Sequence, residues 1–379
     1  MVISNGEIFT SDGNFSSGSL HISGNKIAEI QYGNSDISHT EQVIDATGLY
    51  VIPGLVDIHL HGAAGYDFCD GTAEAFEKIS QYELSRGVTS IVPTTMTLPA
   101  YELERIVQSV SQYAANDSSI KGITLEGPFI SPEKKGAQNE RHIKSPDEKL
   151  FYHLQNVSQG LIRQVTVAPE AEGAVDFISK VKDSCVVSLA HTAATYSEAI
   201  SAFKAGANHV THLYNAMLPF NHREPGVIGA VFDSENTYAE LICDGEHISP
   251  SVVRATFKLL GAGRLCMISD SMSATGMPDG EYTLGGQNVI KSGHRATLKD
   301  GTLAGSVASL YDCLKTAVLD MGIPLADAIK SCTITPAKSL GIDNICGTLS
   351  QDASADILLL DKSLDIRYVI KGGEIEYSY

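Results

Sequence analysis

The chain has 379 residues, 43% hydrophobic and 19% charged, a balance that suits a packed globular protein and excludes a disordered one. Asp and Glu outnumber Lys and Arg by 45 to 27, and the resulting net charge of −18 argues against nucleic acid or an anionic membrane as partner. Seven scattered cysteines without a C-x-x-C pair suit reduced, mostly buried thiols rather than a disulfide framework or a thiolate zinc site.

At the N-terminus, Ser4, Asn5 and Glu7 interrupt the apolar run that a signal peptide needs, and no stretch approaches the length of a transmembrane helix. A soluble, cytoplasmic protein is the expectation. Residues 1–52 read as short strands separated by turns. Asn5-Gly6 lies between apolar pairs, and Ser23-Gly24-Asn25 separates Leu20-His21-Ile22 from Ile27-Ala28-Glu29-Ile30, both hairpin signatures. The C-terminus has the same character: Ala355–Leu360 and Ile366–Ile370 read as strands, and Gly372-Gly373 as a turn before Glu374–Tyr377. Neither end makes a stable sheet domain easily alone, so residues 1–52 and 345–379 are expected to pack together as one small β-sandwich domain.

Residues 53–344 alternate between strands and helices. Strand-like segments end near His61, Thr95, Glu126, Ala168, His191, Leu213, Asp244 and Asp270. Between them, Ala73–Arg86, Tyr101–Tyr113, Ser197–Ala205 and Pro250–Leu260 place apolar residues at helical spacing, with Gly87, Gly206 and Gly261 at the C-cap positions. Eight such alternations predict an α/β fold, a (β/α)8 TIM barrel, rather than an open doubly wound sheet. Residues 281–304 look like an inserted hairpin region after the eighth strand.

The first barrel segment, Pro53–Gly62, ends in His59-Leu60-His61. Strand alternation puts both imidazoles on one face, about 7 Å apart, with Ile58 and Leu60 on the other. Alone, the pair reads equally well as an ordinary strand end. The other strand ends decide the matter, because they carry Glu126, His191, His212 and Asp270. Four histidines and two carboxylates at the rim where barrel enzymes work make a donor set for Zn²⁺ or another divalent first-row metal. His209 begins its strand and reads as structural, as do His21, His39, His153 and His294, which lie away from strand ends.

A metal with one open position lowers the pKa of bound water to about 7. Asp270 is the candidate to take the water proton and return it to a leaving nitrogen, while the metal or His191 polarises a carbonyl. No G-x-S-x-G or plausibly framed cysteine supplies a competing nucleophile.

These residues resemble the amidohydrolase superfamily. Its barrel opens with P-G-(apolar)-x-D-x-H-x-H-G, matched by Pro53–Gly62; Gly347-Thr348-Leu349, Ala355-Asp356-Ile357 and Thr335-Pro336-Ala337-Lys338 are similar to its closing segments. Within it, the chain resembles the branch that deacetylates N-acetyl-D-glucosamine 6-phosphate. That likeness is carried by Leu125–Phe129, Lys135–Gln138, Ala190–Thr192, Thr211–Met217, Arg223–Gly226, Asp244–His247, Ser269-Asp270 and Leu303–Ser306.

The resemblance implies one or two divalent ions, Zn, Fe, Mn or similar. Glu126, His191 and His212 would hold the second, with Glu126 bridging, and His59, His61 and Asp270 the first. It implies Asp270 as acid and base, and a phosphorylated amino-sugar substrate cleaved to D-glucosamine 6-phosphate and acetate, in amino-sugar catabolism and cell-wall recycling. The phosphate would meet Arg223, His247 and backbone groups near Asn215 and Ala216. Leu303 would line the substrate site, and Gln138 stands where some relatives carry a histidine that contacts the sugar. Arg223 resembles a residue supplied by the neighbouring subunit, which implies a homodimer. Two other readings stay open: another amidohydrolase, such as a cyclic-amide hydrolase or deaminase, with no use for Arg223 and His247, and a barrel scaffold without catalysis, which has no need for an intact ligand set.

Overall fold

Strand pairing divides the chain between a sheet built from both termini and a barrel between them. The structure, a computed structural model, describes residues 1–33 and 42–379; His39 lies outside the described residues.

The terminal sheet runs Glu374–Ser378, Ile366–Lys371, Ile357–Leu360, Tyr50–Pro53, Val2–Phe9, Phe15–Ser23, Lys26–Tyr32, with Val43–Asp45 added beside Val2–Phe9. Ile357–Leu360 is apolar throughout because both its faces are covered. Ile357 and Leu359 join Ile3, Ile8, Leu20 and Val51 in the sheet's own core, while Leu358 and Leu360 join the barrel core. Two turns fall where expected: Gly24-Asn25 links the paired Ser23 and Lys26, and Gly372-Gly373 links Lys371 and Glu374.

Asn5-Gly6 is not a hairpin. It lies inside the strand Val2–Phe9, where the register against Phe15–Ser23 slips between Ile3 and Gly6 and Asn5 takes φ +60°. The left-handed conformation that favours Asn-Gly in turns also serves a bulge. Here the bulge lets one strand pair in parallel first with Val43–Asp45 and then with Tyr50–Pro53. A Cβ on Gly6 would come within 2.4 Å of Val51 Cγ2, so the residue must stay small.

The barrel strands are Leu55–Leu60, Val88–Thr95, Ile123–Leu125, Ile162–Val167, Val186–Leu189, His209–Val210, Tyr238–Ile242 and Leu265–Ile268, in that order around one parallel sheet. The eighth strand meets the first through a seam rather than a ladder. Asp270 N–H donates to His59 O at 3.0 Å, and Asp57 Oδ1 accepts from His59 N–H at 3.2 Å and Ser269 N–H at 3.4 Å. Burial pushes the Asp57 carboxyl up to about 7 despite those bonds.

The helices lie within about a residue of expectation: Ala73–Ser85, Ala100–Ala114, Tyr196–Ala205 and Pro250–Leu260. Thr72 caps the first by accepting from Ala75 N–H, and Thr195 and Glu198 form a capping box on the third. The region after the eighth strand forms three antiparallel strands, Gly280–Leu284, Gln287–Ser292 and Arg295–Thr297. No helix among the described residues is long and apolar enough to cross a membrane.

Candidate metal centre

Six side chains from five strand ends converge on the barrel axis, and all are buried. His59 and His61 come from the first strand, Glu126 follows the third, His191 the fifth, His212 the sixth and Asp270 the eighth. His191, His212 and Asp270 have φ of +45°, +29° and +50°, a region costly for residues with a Cβ. Three of six convergent residues in that state mark backbone bent to aim side chains, as strain at functional sites does.

The two imidazoles of the opening pair stand closer than a plain strand would place them, with ring centroids 5.3 Å apart. The ladder to the second strand slips between Asp57 and Leu60, and Ile58 and Leu60 consequently enter different apolar clusters instead of sharing one face.

Two groups of ligand atoms result: His59, His61 and Asp270, and Glu126, His191 and His212. In the first, Asp270 Oδ1 is 3.3 Å from His61 Nε2 and 3.6 Å from His59 Nε2. In the second, Glu126 Oε1 is 3.1 Å from His191 Nε2 and 3.0 Å from His212 Nε2. Glu126 Oε2 turns the other way and lies 3.3 Å from His61 Nε2, so one carboxylate spans both groups.

The outer nitrogens test whether this set fits a metal. His61 Nδ1 meets Thr94 O at 3.3 Å, His191 Nδ1 meets Lys134 O at 2.9 Å and His212 Nδ1 meets Asn215 O at 3.2 Å. His59 Nδ1 meets Glu240 Oε2 at 2.9 Å. A carbonyl or carboxylate can only accept, so each Nδ1 carries a proton and each Nε2 is left to face the centre, as a donor when the ring is charged and as a lone pair for a cation when it is neutral. His59 Nε2 is buried without a hydrogen-bond partner. The set therefore fits one or two divalent ions bound by nitrogen and oxygen.

Charge agrees. Burial alone would raise Glu126, yet the charges of His191 and His59 and bonds from His191 and His212 hold it well below the usual carboxylate range. Asp270 is likewise lowered against burial, first by its bond to His61. Burial opposes a charge on His59, but Glu240 and Glu126 raise it to about 9. The site thus favours positive charge at its centre, which a bound cation provides.

The cavity over this centre holds about 250 Å³, and Gln138, Asn215, Ala216, His247 and Leu303 line it with Asp270. His247 Nδ1 lies 2.7 Å from Asp244 Oδ2, and that bond and charge raise it against burial. Gln138 is buried against the centre: Nε2 donates to Glu126 Oε2 at 2.6 Å, and Oε1 accepts from Thr97 N–H at 2.7 Å. Asn215 N–H closes a turn onto His212 O at 2.9 Å. Arg223 is not brought in; it is exposed, on the loop before the helix Gly226–Asp233.

Sequence reasoning missed Glu240, which is fully buried two residues before the end of the seventh strand. Its signal was a carboxylate inside the otherwise apolar run Ala239–Ile242. His209 is buried as expected, 3.4 Å from Ser188 Oγ and 3.5 Å from Glu240 Oε1, and burial lowers its pKa. All seven cysteines are free thiols, five of them buried.

Residues 50–375 match the amidohydrolase family. The N-acetylglucosamine-6-phosphate deacetylase of Bacillus subtilis is 34% identical, over 95% of this chain and 93% of its own. The N-acetylgalactosamine-6-phosphate deacetylase of Escherichia coli is 34% identical, over 85% of this chain and 86% of its own. The structure of the Mycobacterium smegmatis N-acetyl-D-glucosamine-6-phosphate deacetylase, a mutant in complex with N-acetyl-D-glucosamine 6-phosphate, superposes with a TM-score of 0.94 at 31% identity, covering 99% of this chain and 98% of that one.

Proposed function

The chain belongs to the amidohydrolase family, and from that membership we propose that it removes the acetyl group of N-acetyl-D-glucosamine 6-phosphate, releasing D-glucosamine 6-phosphate and acetate. The observation that carries this reading is the set of four Nδ1-locked histidines converging on Glu126 and Asp270 beneath a cavity, in a chain with relatives of this activity over nearly its whole length.

His59, His61 and Asp270 would hold one ion, His191 and His212 a second, with Glu126 shared between them. Such an ion supplies Lewis acidity and makes hydroxide available near neutral pH. Asp270 lines the cavity with its carboxylate held ionised, so it is placed to take the water proton. Returned to the amide nitrogen, that proton lets the amine leave as a neutral group. Glu126, gripped by Gln138, stays in register between the two ligand groups while Asp270 changes its protonation.

The bond and charge of Asp244 raise the pKa of His247 against burial, which favours its charged form as a phosphate partner within an otherwise acidic protein. Ala216 N–H is the better placed backbone donor, since Asn215 N–H already serves the turn. Arg223 lies outside the cavity of its own chain, in keeping with delivery from a second copy in a homodimer. On this reading, residues 53–344 are the catalytic barrel and 1–52 with 345–379 its supporting domain, and the enzyme serves amino-sugar catabolism and cell-wall recycling in the cytoplasm.

The test is acetate release from N-acetyl-D-glucosamine 6-phosphate, with and without chelator, beside unphosphorylated N-acetylglucosamine and N-acetyl-D-galactosamine 6-phosphate. Chelator-sensitive release that is fastest from the glucosamine phosphate supports the assignment. Equal rates without the phosphate would remove the role given to His247 and Arg223. A faster galactosamine epimer would reassign the sugar and leave the chemistry unchanged.

A further inference from the structure

Four histidines point Nε2 into the centre, and three of them are held from behind by backbone carbonyls, of Thr94, Lys134 and Asn215. His59 differs, because its outer nitrogen is held only by a side chain, Glu240. Glu240 is fully buried, and each of its oxygens has partners. Oε2 accepts from His59 Nδ1–H at 2.9 Å and from His212 N–H at 3.2 Å. Oε1 accepts from Gln164 Nε2 at 2.9 Å and faces His209 Nδ1 at 3.5 Å. One carboxylate thus touches a residue of each ligand group.

We propose that Glu240 is a positioning residue that sets whether the first metal position is filled. The inference rests on the reading of the six side chains as metal ligands. A backbone carbonyl cannot be removed by substitution, so three of the four imidazoles keep their orientation whatever the neighbouring side chains are. His59 keeps its orientation only while an acceptor stands at position 240. Without one, Nδ1–H is left buried and unpaired, and the ring gains by rotating or changing tautomer, which withdraws Nε2 from the centre. His212 loses less, since its ring is still held by Asn215 O. Loss at position 240 should therefore fall on the group of His59, His61 and Asp270, and turn a two-ion site into a one-ion site.

The test is titration of the metal-free protein with Co²⁺, following visible absorption and bound metal, which needs no substrate. Two variants bracket the mechanism. Glu240→Leu keeps the volume and removes the acceptor; Glu240→Gln keeps an oxygen for His59, and Gln164 can turn its amide oxygen, which has no partner, toward the new N–H. Wild type should bind two equivalents. Glu240→Leu should weaken one by about 10- to 100-fold and leave the other within a few-fold, the usual size of a lost supporting contact. Glu240→Gln should stay close to wild type.

Unchanged binding in Glu240→Leu overturns the proposal, as does equal weakening of both equivalents or a Glu240→Gln variant as impaired as the leucine one. If Glu240→Leu does not fold, nitrogen NMR of His59 in the Zn²⁺-loaded wild type decides: a proton on Nδ1 with none on Nε2 supports the role, and a proton on Nε2 overturns it. Wild type that binds no Co²⁺ overturns this proposal and the metal reading together. Two bound equivalents without acetate release refute only the substrate assignment.

Discussion

The amide of Gln138 lies between Thr97 N–H and Glu126 Oε2, and the first contact dictates the second. Because its oxygen accepts from a backbone donor at 2.7 Å, its –NH2 must face the carboxylate, 2.6 Å away. Gln138→Leu removes that grip on Glu126. We expect kcat to fall about 10- to 100-fold with a smaller change in KM. Steady-state acetate release measures both, and a rise in KM alone would move Gln138 from carboxylate support to sugar contact.

Asp270→Asn keeps an oxygen near His61 and removes the proposed proton acceptor. Turnover should drop by about 10²- to 10⁴-fold while the protein retains most of its metal. Metal content and kcat on the same preparation settle it. Full activity would refute the acid–base role, and a metal-free variant would show a ligand function alone.

Arg223→Ala and Asp270→Asn should each be poorly active. If Arg223 serves the neighbouring subunit, mixing and reassembling the two variants rebuilds one competent site in each mixed dimer. Random pairing then restores about a quarter of wild-type sites. No recovery above the separate variants, with mixed dimers confirmed by mass, would place Arg223 in its own chain or in solvent.

Glu83 tests the pH dependence of stability. It lies in the helix Ala73–Ser85, fully buried, with neither carboxylate oxygen hydrogen-bonded. Burial, reinforced by the charge of Asp57, pushes its carboxyl well above the ordinary value. The folded state therefore keeps a proton that the unfolded chain releases above about pH 4.3, and stability declines as pH rises from there toward the folded pKa. Glu83→Gln removes that slope. Its stability advantage should grow with pH by up to about 1.4 kcal/mol per unit over that window and vanish below it. Denaturant melts of both proteins from pH 4 to 8 read the difference, and a constant gap would mean that Glu83 does not titrate on unfolding.

The convergence of the six candidate ligands was legible because each stands at a strand end, where a histidine or carboxylate stands out and one-dimensional order matches position around the barrel. The helix Pro250–Leu260 was legible to the residue, bracketed by a proline that suits a first turn and by Gly261. Asn5-Gly6 was misread because bulge and turn demand the same left-handed backbone, and only the partner strands tell them apart. Glu240 escaped a search confined to strand ends, although a lone carboxylate in an apolar strand was there to be found. The carbonyls of Thr94, Lys134 and Asn215 left no trace, because any residue type supplies the same oxygen.

Only Gly54 separates Tyr50–Pro53, in the middle of the terminal sheet, from the strand that carries His59 and His61. Pro53 pairs with Ile357, and Gly54 N–H donates to Asp356 O at 2.9 Å. On the ribosome, Tyr50–Pro53 and the opening histidines thus emerge long before Ile357–Leu360, one of the two strands that flank Tyr50–Pro53, has been made. Leu55–Leu60 has its partner Val88–Thr95 close behind it in the chain, whereas the terminal sheet stays open at its middle until Ile357–Leu360 follows, so the order of synthesis leaves the join between sheet and barrel to the end.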